Sequence, residues 1–184
     1  SDYGATALFE RNYFDKGVSS GDERIFNPLD GCGGVSIAVA WDNDIGTVAW
    51  RHNVVVRHGT GMRFVRVNPI IERSIIAYNQ DIGLTMSPNT GAVLTLTLNE
   101  SVVGENGDNG TTTASNNQIG CLSGNGLCSN ITFLGNRNIF QKPGGGTDIA
   151  GNKDGDLSKT LAQLQADFGA NHNQASVNTP PAFL

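Results

Sequence analysis

Val54-Val55-Val56-Arg57-His58, Ile75-Ile76-Ala77-Tyr78-Asn79 and Val102-Val103-Gly104-Glu105-Asn106 share one design: two β-forming residues, two variable residues, then a polar turn residue. Val39-Ala40-Trp41-Asp42-Asn43 and Thr132-Phe133-Leu134-Gly135-Asn136 fit the same template, giving five units between Val35 and Phe140. Their terminal residues, 43, 58, 79, 106 and 136, are separated by 15, 21, 27 and 30 positions. A local unit that recurs with insertions of variable length is the signature of a solenoid, in which each pass of the chain stacks on the previous one.

Outward from these units, each repeat holds more than one strand. Ala92-Val93-Leu94-Thr95-Leu96-Thr97-Leu98 alternates with period two, and Arg63-Phe64-Val65-Arg66-Val67 does likewise before Asn68-Pro69. Turn residues punctuate the chain at Asp30-Gly31, Asn43-Asp44, Gly59-Thr60-Gly61, Pro88-Asn89, Gly107-Asp108-Asn109-Gly110 and Asn116-Asn117. The spacing predicts three segments: residues 1–34 as an N-terminal cap or extended arm, 35–140 as stacked coils, and 141–184 as a Gly-rich loop, short helix and extended tail. Ala5–Arg11 and Arg24-Ile25-Phe26 are strand candidates in the first segment. Leu157, Leu161, Leu164 and Phe168 fall on one helical face, with Ser158 or Asp156 as N-cap and Gly169 as stop. A helix there would cover the open end of a solenoid.

Stacking places equivalent residues in ladders. Paired aliphatics fill the interior, while Asn43, Asn79, Asn106 and Asn136, with His58 in the second unit, form an expected corner ladder. Asn tolerates the left-handed backbone of a corner, and its amide can bond to the Asn one coil away. The pattern resembles secreted bacterial right-handed parallel β-helix proteins of the pectate-lyase-like superfamily: Gly91–Asn106 is similar to one of their coils and Arg73–Asn79 to another. That resemblance implies an all-β, right-handed parallel β-helix (solenoid) of about five coils with a short C-terminal capping helix. It leaves activity open, because the superfamily includes polysaccharide lyases, glycoside hydrolases, phage tailspikes and surface proteins without catalysis.

Composition agrees with many short strands. The 184 residues include 24 Gly and are only 16% charged, which suits tight turns better than helical bundles. A formal charge of −5 disfavours nucleic acid and anionic membrane as partners, and no stretch approaches the about 20 apolar residues of a membrane span. A first residue of Ser rather than Met fits removal of a secretory signal, and equally a shortened chain. Asn99-Glu100-Ser101, Asn109-Gly110-Thr111 and Asn130-Ile131-Thr132 match the N-glycosylation acceptor pattern. Cys121 and Cys128 bracket a loop that a disulfide could close; Cys32 is left as a buried thiol or as the true partner of one of them. Together these features favour an extracellular or cell-surface location.

No catalytic set emerges from the residue pattern. Glycoside hydrolysis needs paired carboxylates, and the tightest acidic cluster, Asp42-Asn43-Asp44, sits at a turn that Asp and Asn favour for conformational reasons. Arg51, His52, Arg57, His58, Arg63 and Arg66 could line a groove for an acidic sugar polymer, or form a solvated edge. Trp41 and Trp50, beside Asp42 and Asp44, are candidate carbohydrate contacts if exposed, although packing is the commoner role of Trp. Asp148, Asn152, Asp154 and Asp156 look like part of a Ca²⁺ loop, with Leu161 where an EF-hand would end in Glu. An Asp-rich turn and helix cap is the plainer reading. His52, His58 and His172 lack metal-ligand spacing.

The resulting expectation is an extracellular structural or surface protein, with enzymatic activity left open, a glycosylated subunit that assembles head-to-tail into a filament or sheath. Its N-terminal arm and C-terminal tail would reach neighbouring copies. The alternative is a polysaccharide-binding or polysaccharide-cleaving β-helix protein. A flat Thr face, hinted at by Thr95, Thr97 and Thr111-Thr112-Thr113, would suit ice or mineral, but the sequence displays no regular Thr ladder.

Overall fold

Alternation decides which face of each strand is buried. Along Leu94–Asn99 the leucines at 94, 96 and 98 are fully buried, while Thr95, Thr97 and Asn99 face outward and are half-buried. A computed structural model describes residues 6–15, 35–38, 45–79, 82–87, 93–107, 118–121, 130–141, 148–152, 158–167 and 177–178.

Within these residues the protein is mostly β, with parallel sheets and one short helix. The first circuit holds β1 (Thr6–Glu10), β2 (Tyr13–Asp15) and β3 (Val35–Ala38), and the second β4 (Gly46–Arg51), β5 (Val54–Val56) and β6 (Met62–Val65). The third holds β7 (Val67–Glu72), β8 (Ile75–Ala77) and β9 (Leu84–Ser87), and the fourth β10 (Leu94–Asn99), β11 (Val102–Gly104) and β12 (Ile119–Cys121). The fifth comprises β13 (Ile131–Asn136), β14 (Ile139–Gln141) and β15 (Asp148–Asn152), followed by β16 (Ser158–Thr160), α1 (Leu161–Asp167) and β17 (Val177–Asn178).

Strand order is β1-β4-β7-β10-β13 in the first sheet, β2-β5-β8-β11-β14-β17 in the second and β3-β6-β9-β12-β15-β16 in the third. The described pairs are parallel except β15 with β16, which is antiparallel. Every third strand therefore returns to the same sheet, an order compatible with a parallel β-solenoid.

Three of the five repeat units stack in register: Val54 on Ile75 and Ile75 on Val102. The other two depart from expectation. Val39–Asn43 lies outside the described residues, and Tyr13-Phe14-Asp15 occupies the equivalent place in the first circuit, opposite Val54-Val55-Val56. Thr132–Asn136 belongs to the first sheet, with Thr132 opposite Thr95 and Asn136 opposite Asn99. The fifth counterpart is Ile139-Phe140-Gln141. Locally Thr132-Phe133 and Ile139-Phe140 are equally good β pairs, so only the register separates them.

The segment boundaries shift for the same reason. Residues 6–15 hold two strands, β1 and β2, that pair with the second circuit, and 148–152 extend the third sheet beyond residue 140. Arg63–Val67 is two strands split by Arg66. The helix begins one turn later than expected, because Thr160 is its cap. Gln163 N–H donates to Thr160 Oγ1 at 3.3 Å, and Thr160 N–H donates to Gln163 Oε1 at 2.8 Å. Ser158 lies in β16, while Asp156, Leu157 and Phe168 fall outside the described residues. Leu164 is buried in the core and Leu161 packs against it.

The core is a column of Val, Ile, Leu and Met side chains with aromatic groups towards each end. Phe9 and Phe14 lie 5.1 Å and 5.3 Å from Trp50, and Phe133 meets Phe140 edge-on at 6.2 Å. Gly61 and Gly83 let polar side chains of the next circuit lie directly on the backbone. A Cβ at Gly83 would stand 2.5 Å from Asn106 Nδ2 and 2.9 Å from the carbonyl of Gln118. Gly83→Ala is expected to lower unfolding free energy by about 1–3 kcal/mol in urea titration. Gly104→Ala, which meets chiefly the Gln141 side chain, is expected to cost less.

Candidate functional site

At each corner the backbone leaves one sheet and enters the next, so its N–H groups need acceptors that no β ladder supplies. After the second sheet, His58 N–H donates to Asn79 Oδ1, Asn79 N–H to Asn106 Oδ1, and Asn106 N–H to Gln118 Oε1, at 3.0, 3.0 and 3.2 Å. The amides also bond to one another: Asn79 Nδ2 donates to Asn106 Oδ1, and Asn106 Nδ2 to Gln118 Oε1, both at 2.7 Å. His58, Asn79 and Asn106 thus stack as the sequence suggests. Asn136 does not join them; its N–H donates to Asn99 Oδ1 on the first sheet, and Gln118 takes the next rung. Asn43 lies outside the described residues.

A second polar ladder, between the first and second sheets, escaped the sequence reading. Asn12 N–H donates to Asn53 Oδ1, Asn53 N–H to Ser74 Oγ, Ser74 N–H to Ser101 Oγ, and Ser101 N–H to Asn138 Oδ1. Its signal was present: a charged residue or His, then Asn or Ser, immediately before each β pair.

The left-handed residues are not the asparagines. Nine described non-glycine residues have φ between 49° and 60°: Arg11, His52, Arg73, Glu100 and Arg137 at one corner, Arg57, Tyr78 and Glu105 at the next, and Arg66 at the third. Each left-handed residue costs about 1–2 kcal/mol relative to right-handed backbone. In partial compensation, the Arg11, His52, Arg73 and Glu100 N–H groups donate to carbonyls of the next circuit. The exposed side chains then pair between circuits. Arg51 bonds Glu72 at 2.8 Å, Arg73 and Arg137 bond Glu100 at 2.7 and 2.5 Å, and Arg57 bonds Asp15. Arg73 first, with Arg137, holds the Glu100 carboxyl below the usual carboxylate range, while Asp15 raises Arg57 and Glu100 raises Arg73.

These placements disperse the proposed binding groups. Arg51 and Arg57 are ion-paired, Arg57 is a left-handed corner residue, Arg63 faces solvent and Arg66 is buried. Trp50 is fully buried between two phenyl rings and offers no face to a sugar; Trp41, Asp42 and Asp44 lie outside the described residues. Asp148 and Asn152 are the first and last residues of β15. Asp154 and Asp156 lie outside the described residues, among which no His, Cys, Asp and Glu cluster could hold a metal. Asn99 ends β10 with its Oδ1 engaged, Asn130 precedes β13 and is half-buried, and Asn109 is not described. Cys121 ends β12; Cys32 and Cys128 are not described.

The outer faces are regular. Thr6, Thr47, Asn68, Thr95 and Thr132 form a row across the first sheet, so a Thr-rich ladder exists that spacing alone concealed. The two ends differ. At the C-terminal end β13, β17 and β16 are the outermost described strands, and α1 packs Leu164 and Leu161 on the core. At the N-terminal end β1, β2 and β3 are the outermost described strands, Leu8 and Tyr13 are 59% and 65% exposed, and Phe9, Phe14, Val35 and Ile37 are only partly buried.

No described helix is long and apolar enough to cross a membrane. Comparison with protein-family models, curated proteins and solved structures returns no match.

Two outcomes test the ladders. Asn106→Ala leaves the buried Asn79 N–H without its acceptor, and urea unfolding should show a loss of about 1–3 kcal/mol, with a smaller loss for Asn136→Ala on the half-buried outer row. The lowered Glu100 carboxyl contributes stability above the unfolded value, about 4.3, and loses it as pH falls through the lower folded value. Glu100→Gln should therefore reduce the melting temperature slightly at pH 7, with the difference from the parent shrinking as the medium is acidified.

Proposed function

We propose that the chain is a right-handed parallel β-helix of the pectate-lyase-like kind, serving as a structural module of an extracellular or cell-surface assembly. It joins its neighbour through the N-terminal face. The observation that carries this reading is the contrast between the ends. At one end α1 packs on the core with Leu164 buried, whereas at the other, among the described residues, Phe9 and Phe14 are only half covered and Leu8 and Tyr13 are exposed. Open edges above an apolar core favour strand addition.

This reading modifies the head-to-tail expectation. A copy stacking on the C-terminal end would meet α1 over the core and, in the third sheet, β16, which runs antiparallel to the rest of its sheet and so does not continue the parallel order. Association through a single face is the arrangement that both ends accommodate. The polysaccharide reading draws less support, with Trp50 interior and several arginines bonded to neighbouring circuits.

Light scattering coupled to size exclusion, over a wide concentration range, tests the proposal. The expected result is a mass that rises above that of one chain, and that Leu8→Lys on the β1 edge returns towards a single chain without changing the melting temperature. A single-chain mass at every concentration would overturn it.

A further inference from the structure

We infer that the joint between the first and second circuits opens on its own, so that β1 and β2 act as a strap over Trp50 while the later circuits stay folded. This goes beyond the association proposed above and does not depend on it.

The interior of the joint supplies the first argument. Trp50 is fully buried, with Phe9 and Phe14 of the first circuit 5.1 Å and 5.3 Å from its ring. Its Nε1 is buried as well, without a hydrogen-bond partner among the described residues. Among the described side chains with no exposure at all, it is the one whose polar atom is left unmet. An indole N–H removed from water and given no acceptor carries a desolvation cost that nothing in the closed joint offsets. Lifting the two phenyl rings bares the indole to water again. The later joints stack aliphatic side chains, Ile71 on Leu98 and Ile76 on Val103, which carry no such group.

The polarity of the corner ladders supplies the second. Each ladder side chain accepts from an N–H earlier in the chain. The corner groups of the second circuit therefore look forward: Asn53 N–H donates to Ser74 Oγ at 3.2 Å, His58 N–H to Asn79 Oδ1 at 3.0 Å, and His52 N–H to the Glu72 carbonyl. All three stay bonded when the first circuit lifts. What parts is one rung, Asn12 N–H to Asn53 Oδ1 at 2.7 Å and Asn53 Nδ2 to the Phe9 carbonyl at 2.9 Å. That rung is part-buried, whereas the next three in its row are buried, so water is at hand to replace it. Outside, the exposed Arg57–Asp15 pair is the latch, with Arg57 Nε donating to Asp15 Oδ1 at 2.8 Å. The open form bares Trp50 and the edges of β4 and β5, so closure governs access to them.

Residue-resolved hydrogen exchange of the full chain under native conditions tests the joint. Arg11, Asn12 and Val54 donate across it, to the Arg51 carbonyl, Asn53 Oδ1 and the Asn12 carbonyl. Their protection factors are expected to be at least about tenfold lower than those of Asn53, Ile75 and Val102, whose acceptors lie in later joints. Asn53 and Val54 make the sharpest comparison, being neighbours in sequence bonded to opposite sides. Asp15→Asn, which releases the latch, should lower protection of Arg11, Asn12 and Val54 further and leave Val102 unchanged. Equal protection in the two sets would overturn the inference, because the joint would then open only with the whole stack. An Asp15→Asn effect that reaches Val102 to the same degree would overturn it for the same reason.

Discussion

Each circuit turns its corners on borrowed acceptors. The N–H groups of Asn12, Asn53, Ser74 and Ser101 on one side, and of His58, Asn79 and Asn106 on the other, are bonded by side chains of a different stretch of chain, 12 to 41 residues away. A buried N–H without an acceptor costs as much as a lost hydrogen bond or more. Apart from Asn106, whose acceptor Gln118 lies in the same circuit, one circuit taken alone could not satisfy these groups. The stack is therefore cooperative at its corners as well as in its sheets, and the apolar column inside it is assembled under that constraint.

The same constraint explains the chemistry of the surface. A corner this tight requires positive φ, and the chain meets it with Arg, His, Glu and Tyr rather than Gly. The following position is thereby left for Asn, Ser or His, whose side chain or N–H enters the ladder. Of the left-handed side chains, Arg57, Arg73, Glu100 and Arg137 reach the surface and pair between circuits. Exposed pairs of this type contribute little individually, typically about 0.2–1 kcal/mol. Their value lies in register: a displaced circuit would set Arg beside Arg.

Much of the architecture was legible from sequence because two signals are local. The β pair before a polar turn located β5, β8 and β11, and period-two alternation located β10. The rest was hidden for physical reasons. Residues 131–141 hold two β pairs of equal quality, and only the pairing of Thr132 with Thr95 and of Ile139 with Val102 separates them. The left-handed role was assigned to Asn from its general tolerance, whereas the backbone bends one residue earlier, at Arg57, Tyr78 and Glu105. Trp50 and the arginines could be read as ligand contacts until burial and ion pairing were known. The Thr row required registers from several circuits at once, since its members are 21 to 41 residues apart in sequence.

The rung formed by Gln118 differs from the others. Asn79 reaches forward to the next circuit, whereas Asn106 bonds Gln118 of its own circuit, and Gln118 Nε2 returns to the Asn106 carbonyl at 3.0 Å. These two amides close a clasp within a single circuit, so the Asn106 corner, alone among the described rungs of its row, has its N–H satisfied before the next pass of the chain is laid down.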